Sequence, residues 1–295
     1  MLKPSALIFL HVPKTGGTTF RSILDQNYQP SETLIFNGDS HPEELERFTK
    51  LPESDRAQYR LIKGHLGFGL HRFVPGNSTY VTFLREPVAR ALSFYYYARS
   101  HPDHYLFPLL NGNRVDLKAL LSRGTEVELF NYQTRMISGA GNSQMLLSRD
   151  ALETAKENLS KYFHFVGLTE EFDAGLFLLR RSLGWRLPFY IKKNITLKKP
   201  RADEIDVQTL ALLREANSFD LELYEFARAL FQKKRIAAGA SFESELRRFQ
   251  LLNRVGVRGL EKCQALKHAA KRLIGSRRKS RQLPIFGEIA SGRSV

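Results

Sequence analysis

The sequence predicts a three-layer α/β fold, with a central, mainly parallel sheet flanked by helices. Three observations carry this. Short runs rich in β-branched and aromatic residues ("ALIFL", "YVTFL" and "FHFVGL") recur along the chain, each ended abruptly. Such near-continuous apolar runs suit strands covered on both faces, as parallel strands are. Between them lie amphipathic stretches with helical spacing. Finally, strand and helix alternate, which is the pattern of βαβ units.

In chain order, Ser5 to His11 reads as a buried strand ended by Pro13 and a glycine pair, and Thr18 to Gln26 as the helix that follows. Tyr59 to Lys63 and Thr79 to Leu84 read as two further short strands. Pro87 suits the first turn of the next helix. There Val88, Ala91, Leu92, Tyr95 and Tyr96 fall on one face. Asp150 to Tyr162 is helical and leads into the strand "FHFVGL". Glu170 to Leu183 is a helix stopped by Gly184, and Asp203 to Phe231 reads as one long helical stretch. No repeat of fixed period is present.

Composition narrows the class. The chain of 295 residues is 42% apolar and 25% charged, ordinary for a globular protein. Its one cysteine, Cys263, allows no intrachain disulfide or cysteine zinc site, so a reducing compartment is expected. The apolar run Ala6 to Leu10 is far below the roughly 20 residues a membrane span needs and is too short for a signal-peptide core. A cytoplasmic protein is expected. The net charge of +15 is uneven: residues 233–295 hold 16 Lys+Arg against 4 Asp+Glu, while residues 1–232 are nearly balanced. Two parts follow, a catalytic-type domain over 1–232 and a basic, partly helical tail over 233–295. Because the excess charge is separate from the motifs, no nucleic-acid partner is expected despite the basic pI.

The first motif follows the first strand: His11-Val12-Pro13-Lys14-Thr15-Gly16-Gly17-Thr18-Thr19. Glycines let the backbone approach an oxyanion without a Cβ in the way. The helix N-terminus presents N–H groups and the positive end of its dipole. Thr18 and Thr19 add hydroxyls, and Lys14 a cation. The loop is P-loop-like, but Lys14 precedes both glycines, whereas the nucleotide-triphosphatase pattern puts Lys after them. The loop resembles the 5′-phosphosulfate loop of the sulfotransferases that use 3′-phosphoadenylyl sulfate (PAPS). The resemblance is nearest the branch containing the heparan sulfate 2-O- and 6-O-sulfotransferases and their bacterial relatives. It implies that Lys14, Thr15, Gly16, Gly17, Thr18 and Thr19 bind the phosphosulfate.

The second motif, Arg85-Glu86-Pro87 with Ser93 eight positions after Arg85, closes the strand "YVTFL". It resembles the 3′-phosphate element of the same family, with Arg85 and Ser93 as ligands. A guanidinium fork suits phosphate, and ligands of open α/β sheets bind at the carboxyl ends of strands, where both motifs fall. Between the motifs, Lys63-Gly64-His65 ends a strand. Sulfuryl transfer requires a base for the acceptor hydroxyl and a cation at the leaving oxygen. An imidazole near neutral pKa is the natural base, and the family resemblance points to His65, with His71 as the rival. Lys14 is expected at the leaving oxygen. Lys63 is either a phosphosulfate contact or exposed, and His101 and His104 either face the acceptor or lie in a solvated loop. No metal is expected.

"NYQTRMISG" offers Gln133 and Arg135 as acceptor or nucleotide contacts, or as a polar helix face. "NITLKKPR" resembles the family's late nucleotide-covering loop and adds Lys198 and Arg201 to the nucleotide ligands. In "NSFDLELYEFA", Asp220 and Tyr224 are expected to be structural. The resemblance spans roughly residues 5–232. It implies a sulfotransferase moving a sulfuryl group from PAPS to a hydroxyl, with a carbohydrate or glycolipid acceptor. The competing readings are a nucleotide kinase or NTPase, and a nucleic-acid or membrane-surface binder driven by the tail. Phe242, Leu246, Phe249, Leu252 and Leu260, interleaved with arginines, would allow the tail to contact an anionic membrane peripherally.

Overall fold

A computed structural model describes residues 5–36, 41–112, 115–141, 146–185, 190 and 205–256. Five strands form one parallel sheet: β1 (Ala6–Leu10), β2 (Thr33–Phe36), β3 (Leu61–Gly64), β4 (Ser78–Leu84) and β5 (Phe163–Leu168), in the order β2-β3-β1-β4-β5. The α-helices that accompany it are α1 (Gly17–Leu24), α2 (His41–Lys50), α3 (Glu53–Ala57), α4 (Pro87–Ser100), α5 (Phe107–Asn111), α6 (Leu117–Arg123), α7 (Tyr132–Ser138), α8 (Arg149–Lys161), α9 (Phe172–Leu183), α10 (Val207–Ala216) and α11 (Ser218–Ala237), and residues 242–256 are helical as well. The expected class is the observed one.

The strands form because their apolar residues can all be buried. Every residue of β1 and β3 is buried, as expected of central strands covered by helices on both faces. The edge strand β2 was not legible. Its "TLIF" is short and half exposed, with Ile35 facing solvent, so it lacks the buried signature of the others.

The stretch expected to be one helix from Asp203 to Phe231 is broken at Asn217, whose backbone lies at φ −121°, ψ 28°. Asn217 is fully buried, and its side-chain amide donates to the carbonyls of Leu129 and Leu213 at 2.8 and 2.9 Å. Those bonds hold a non-helical residue between two helices. α11 then runs through residue 232 to Ala237, and the compact unit extends from Met1 to Arg247. Within that unit Phe242 packs on Phe177, and both Phe242 and Leu246 are buried, which removes those two from any membrane-facing surface. The second unit is Arg248–Val295, of which the described residues 248–256 are helical. Among the described residues no helix is long and apolar enough to cross a membrane.

The strand order positions the site. The chain leaves β1 toward β2 and leaves β4 toward β5, so the topological switch lies between the carboxyl ends of β1 and β4. Thr82 ties these ends together, its buried hydroxyl donating to the Leu10 carbonyl at 2.8 Å.

Candidate active site

The loop after β1 turns on two left-handed residues, Lys14 at φ 71° and Gly16 at φ 83°. Gly16 precedes α1, and its carbonyl accepts from the N–H groups of Thr19 and Phe20. Gly17 answers a different demand: a Cβ there would lie 1.8 Å from Nε2 of His11. His11 is therefore the shaping residue of the loop, its ring occupying the space that Gly17 leaves. Thr15 is buried, and its hydroxyl donates to the Val12 carbonyl at 2.8 Å. That bond closes the turn from within, so the Thr15 hydroxyl contributes shape. Thr18 is exposed at the opening of α1, and Thr19 is buried one residue on.

Burial holds the His11 imidazole well below its usual pKa, reinforced by the neighbouring His65, Arg21 and Lys14. The His65 ring stacks on it at 4.2 Å. His65 Nδ1 lies 3.0 Å from the His11 carbonyl oxygen. A carbonyl can only accept, so Nδ1 carries the proton, and neutral His65 has its lone pair on Nε2. That is the tautomer a general base needs. The rival His71 is engaged elsewhere: its backbone N–H donates to the Tyr80 hydroxyl at 2.9 Å, its ring Nδ1 lies 3.1 Å from the same hydroxyl, and its ring packs among Phe68, Tyr80 and Tyr162.

Arg85 follows β4 and reaches across the switch point, Nη1 donating to the Lys14 carbonyl at 3.0 Å. The two sequence motifs therefore meet. Burial lowers the Arg85 pKa, with Glu170 and Glu86 opposing, which describes a partly desolvated cation. Glu86 accepts from the N–H groups of Val88 and Ala89, capping α4. Ser93 lies on the same helix and is buried, and among the described residues no hydrogen bond joins it to Arg85 or to the loop. Lys198 and Arg201 lie outside the described residues.

Lys14 Nζ sits 3.6 Å above the ring of Tyr97, a residue of α4 that the sequence reading did not single out. From Tyr97 a row of rings runs outward: His101 at 3.8 Å, His104 at 5.8 Å, and Tyr105 stacked on His104 at 4.8 Å. His101 and His104 thus border the loop, and burial, His101 and Lys14 all lower the His104 pKa. The exposed Tyr105 hydroxyl donates toward Glu126 and Glu128 at 3.1 and 3.2 Å.

Two other candidates have different partners. Lys63 is buried and ion-paired with Asp25. Arg135 is buried and donates to the Gly141 carbonyl at 2.7 Å. Thr169, after β5, was missed: its hydroxyl lies 2.8 Å from the Thr15 carbonyl and 3.0 Å from that of Leu84, bridging the two strand ends. A threonine after "FHFVGL" gives no sequence signal for this, because its partners lie 154 and 85 residues away.

A family model described as galactose-3-O-sulfotransferase matches residues 3–276. Galactose-3-O-sulfotransferase 3 of Mus musculus is 28% identical over 268 residues, covering 83% of this chain and 61% of that protein. Heparan-sulfate 6-O-sulfotransferase 1 of Homo sapiens is 25% identical over 289 residues, covering 77% of this chain and 66% of that protein. The chain thus spans about three fifths of the galactose relatives' length. A crystal structure of mouse sulfotransferase SULT7A1 complexed with PAP aligns at TM-score 0.33 and 14% identity over 75% of this chain and 66% of that one. That likeness is too slight to bear on the fold, which rests on the strand order.

Proposed function

The chain belongs to the galactose-3-O-sulfotransferase family, and on that premise we propose that it transfers a sulfuryl group from PAPS to a hydroxyl of a carbohydrate or glycolipid acceptor. The observation that carries this reading is the meeting of the two motifs at the switch point, through the bond from Arg85 to the Lys14 carbonyl. One cation and one anion-binding loop there stand where a donor with phosphate at both its 3′ and 5′ ends would span β1 and β4.

In the proposed step the acceptor oxygen forms a bond to sulfur as the bond from sulfur to the bridging phosphate oxygen breaks. The acceptor proton passes to Nε2 of His65, and adenosine 3′,5′-bisphosphate leaves. Lys14 neutralises the charge that grows on the leaving oxygen. His65 is held ready by its bond to the His11 carbonyl. Thr18, Thr19 and the N-terminus of α1 would receive the phosphosulfate oxygens, with Arg85 and Ser93 at the 3′-phosphate. Lys198 and Arg201 complete the proposed nucleotide set from the sequence resemblance alone.

The ring row from Tyr97 to Tyr105 supports a sugar acceptor, since aromatic faces pack on the C–H face of a pyranose while the Glu126 and Glu128 carboxylates can take its hydroxyls. Both groups of relatives are named for carbohydrate substrates. A cytoplasmic setting is part of the proposal and is supported by the single cysteine. Peripheral contact of the tail with anionic membrane is retained as a proposal that rests on its 16 basic residues.

The test is transfer of labelled sulfate from PAPS to a panel of galactosides and sulfate-free heparosan. Product should form with at least one acceptor, and His65→Ala should abolish turnover while leaving bisphosphate binding intact. Turnover unchanged in His65→Ala would remove His65 from the chemistry. No product from any acceptor, with PAPS merely bound, would remove the transferase reading for these acceptor classes.

A further inference from the structure

Behind Arg85 runs a relay of buried hydrogen bonds that the proposed chemistry does not use. Helices α7 and α11 cap each other. Asn131, just before α7 and left-handed at φ 47°, turns its Oδ1 onto the N–H groups of Phe219 and Asp220 at 2.9 and 3.0 Å. Asp220 returns its carboxylate to the N–H groups of Gln133 and Thr134 at 3.0 and 2.7 Å. Asp220 is fully buried, and burial raises its pKa, opposed by Arg90 and those N–H donors.

The last link is Gln133, which is also buried. Its Nε2 donates to the Arg85 carbonyl at 2.8 Å, and its Oε1 accepts from the Arg85 N–H at 2.9 Å. One primary amide thus satisfies both backbone groups of one residue. β4 ends at Leu84, so Gln133 takes the place of a neighbouring strand one residue beyond the sheet. Glutamate would lack the donor, and asparagine would fall one methylene short. Fixing the Arg85 backbone fixes the direction in which its side chain leaves the strand end toward the Lys14 carbonyl.

We infer that Gln133 is a positioning residue: it aims Arg85 at the 3′-phosphate, and the reciprocal cap between Asn131 and Asp220 holds Gln133 in place. This rests on the proposed reading of Arg85 as the 3′-phosphate ligand. The residue acts through Arg85 alone, so its loss should be felt only by ligands that Arg85 touches.

The test is calorimetric binding of adenosine 3′,5′-bisphosphate and of adenosine 5′-monophosphate to the full chain. The variants are Gln133→Met, which keeps volume without the amide, Arg85→Ala, and the double substitution. Gln133→Met should weaken the bisphosphate about tenfold. It should leave the monophosphate within about twofold, and add no further loss in the Arg85→Ala background. Asn131→Gly, which tolerates the left-handed backbone but loses the cap, should give a smaller loss of the same selectivity, and it carries the test if Gln133→Met does not fold. Unchanged bisphosphate affinity in both variants, an equal loss for both nucleotides, or an undiminished loss in the Arg85→Ala background would overturn the inference. Failure of the unaltered chain to bind the bisphosphate at all would instead overturn the nucleotide reading itself.

Discussion

The two strand ends that flank the switch point are built in opposite ways. The loop after β1 is local: the left-handed Lys14 and Gly16, the Thr15 to Val12 bond and the fit of His11 against Gly17 all lie within nine positions of sequence. The Arg85 side is assembled at long range, by Gln133 from 48 residues away and by an Asp220 cap 87 residues beyond that. A local cradle reads anion charge through its backbone, while a remote clamp aims one side chain. The first should therefore fail all at once, and the second by loss of selectivity.

The sharpest way to break this contrast is Gly17→Ala. The added Cβ would meet His11 Nε2 at 1.8 Å, so the loop must shift. Overpacking of this kind costs about 3 kcal/mol, and binding of bisphosphate and monophosphate should fall together. Chemical denaturation checks the stability, and adding His11→Ala should restore part of it. Tolerance of Gly17→Ala with full nucleotide affinity would show that the loop is not a fitted cradle.

Lys14→Ala sharpens the contrast next. Removing a preorganised charge at a developing oxyanion costs about 10²–10³ in turnover, while product-nucleotide affinity should change much less. Steady-state kinetics beside bisphosphate titration separates the two effects.

A pH dependence follows from His11. Its folded pKa lies well below the ordinary 6.5, so the unfolded chain binds the extra proton. The stability it contributes is present above about pH 6.5 and is lost as pH falls, by up to about 1.4 kcal/mol per pH unit. Denaturant midpoints from pH 7.5 down to 5.5 should show that slope, and His11→Gln should reduce it, leaving the part due to His71, His104 and His164, whose pKa values burial also lowers. The smallest expected effect is Thr169→Val at the joint between the two ends. Loss of its hydroxyl bond should cost about 1 kcal/mol and lower binding of the bisphosphate more than of the monophosphate.

The same contrast explains what was legible. The sheet core, α1, α4, α8 and α9 were readable because buried parallel strands and amphipathic helices write local patterns. The Lys14 to Thr19 loop and Arg85 were readable because a strand end followed by a helix start is a local event. The edge strand β2 was not, since Ile35 faces solvent. The break at Asn217 was not, because its bonds to Leu129 and Leu213 depend on a packing that the stretch itself does not encode. Gln133 reads from sequence as an acceptor or nucleotide contact or as a polar helix face; its burial and the pairing of its amide with the Arg85 backbone depend on a contact 48 residues away. Tyr97 carries no signal of its own in the sequence, because its contact with Lys14 needs the folded crevice.

The measurement that bears most directly on the central claim is a thermal shift with adenosine 3′,5′-bisphosphate, set beside ADP and ATP with magnesium. At about 100 times the dissociation constant a ligand adds roughly 2.7 kcal/mol, enough for several degrees in a domain of this size. The expected result is a shift with the bisphosphate that Arg85→Ala removes. A shift with ATP and magnesium alone, indifferent to Arg85, would contradict the account.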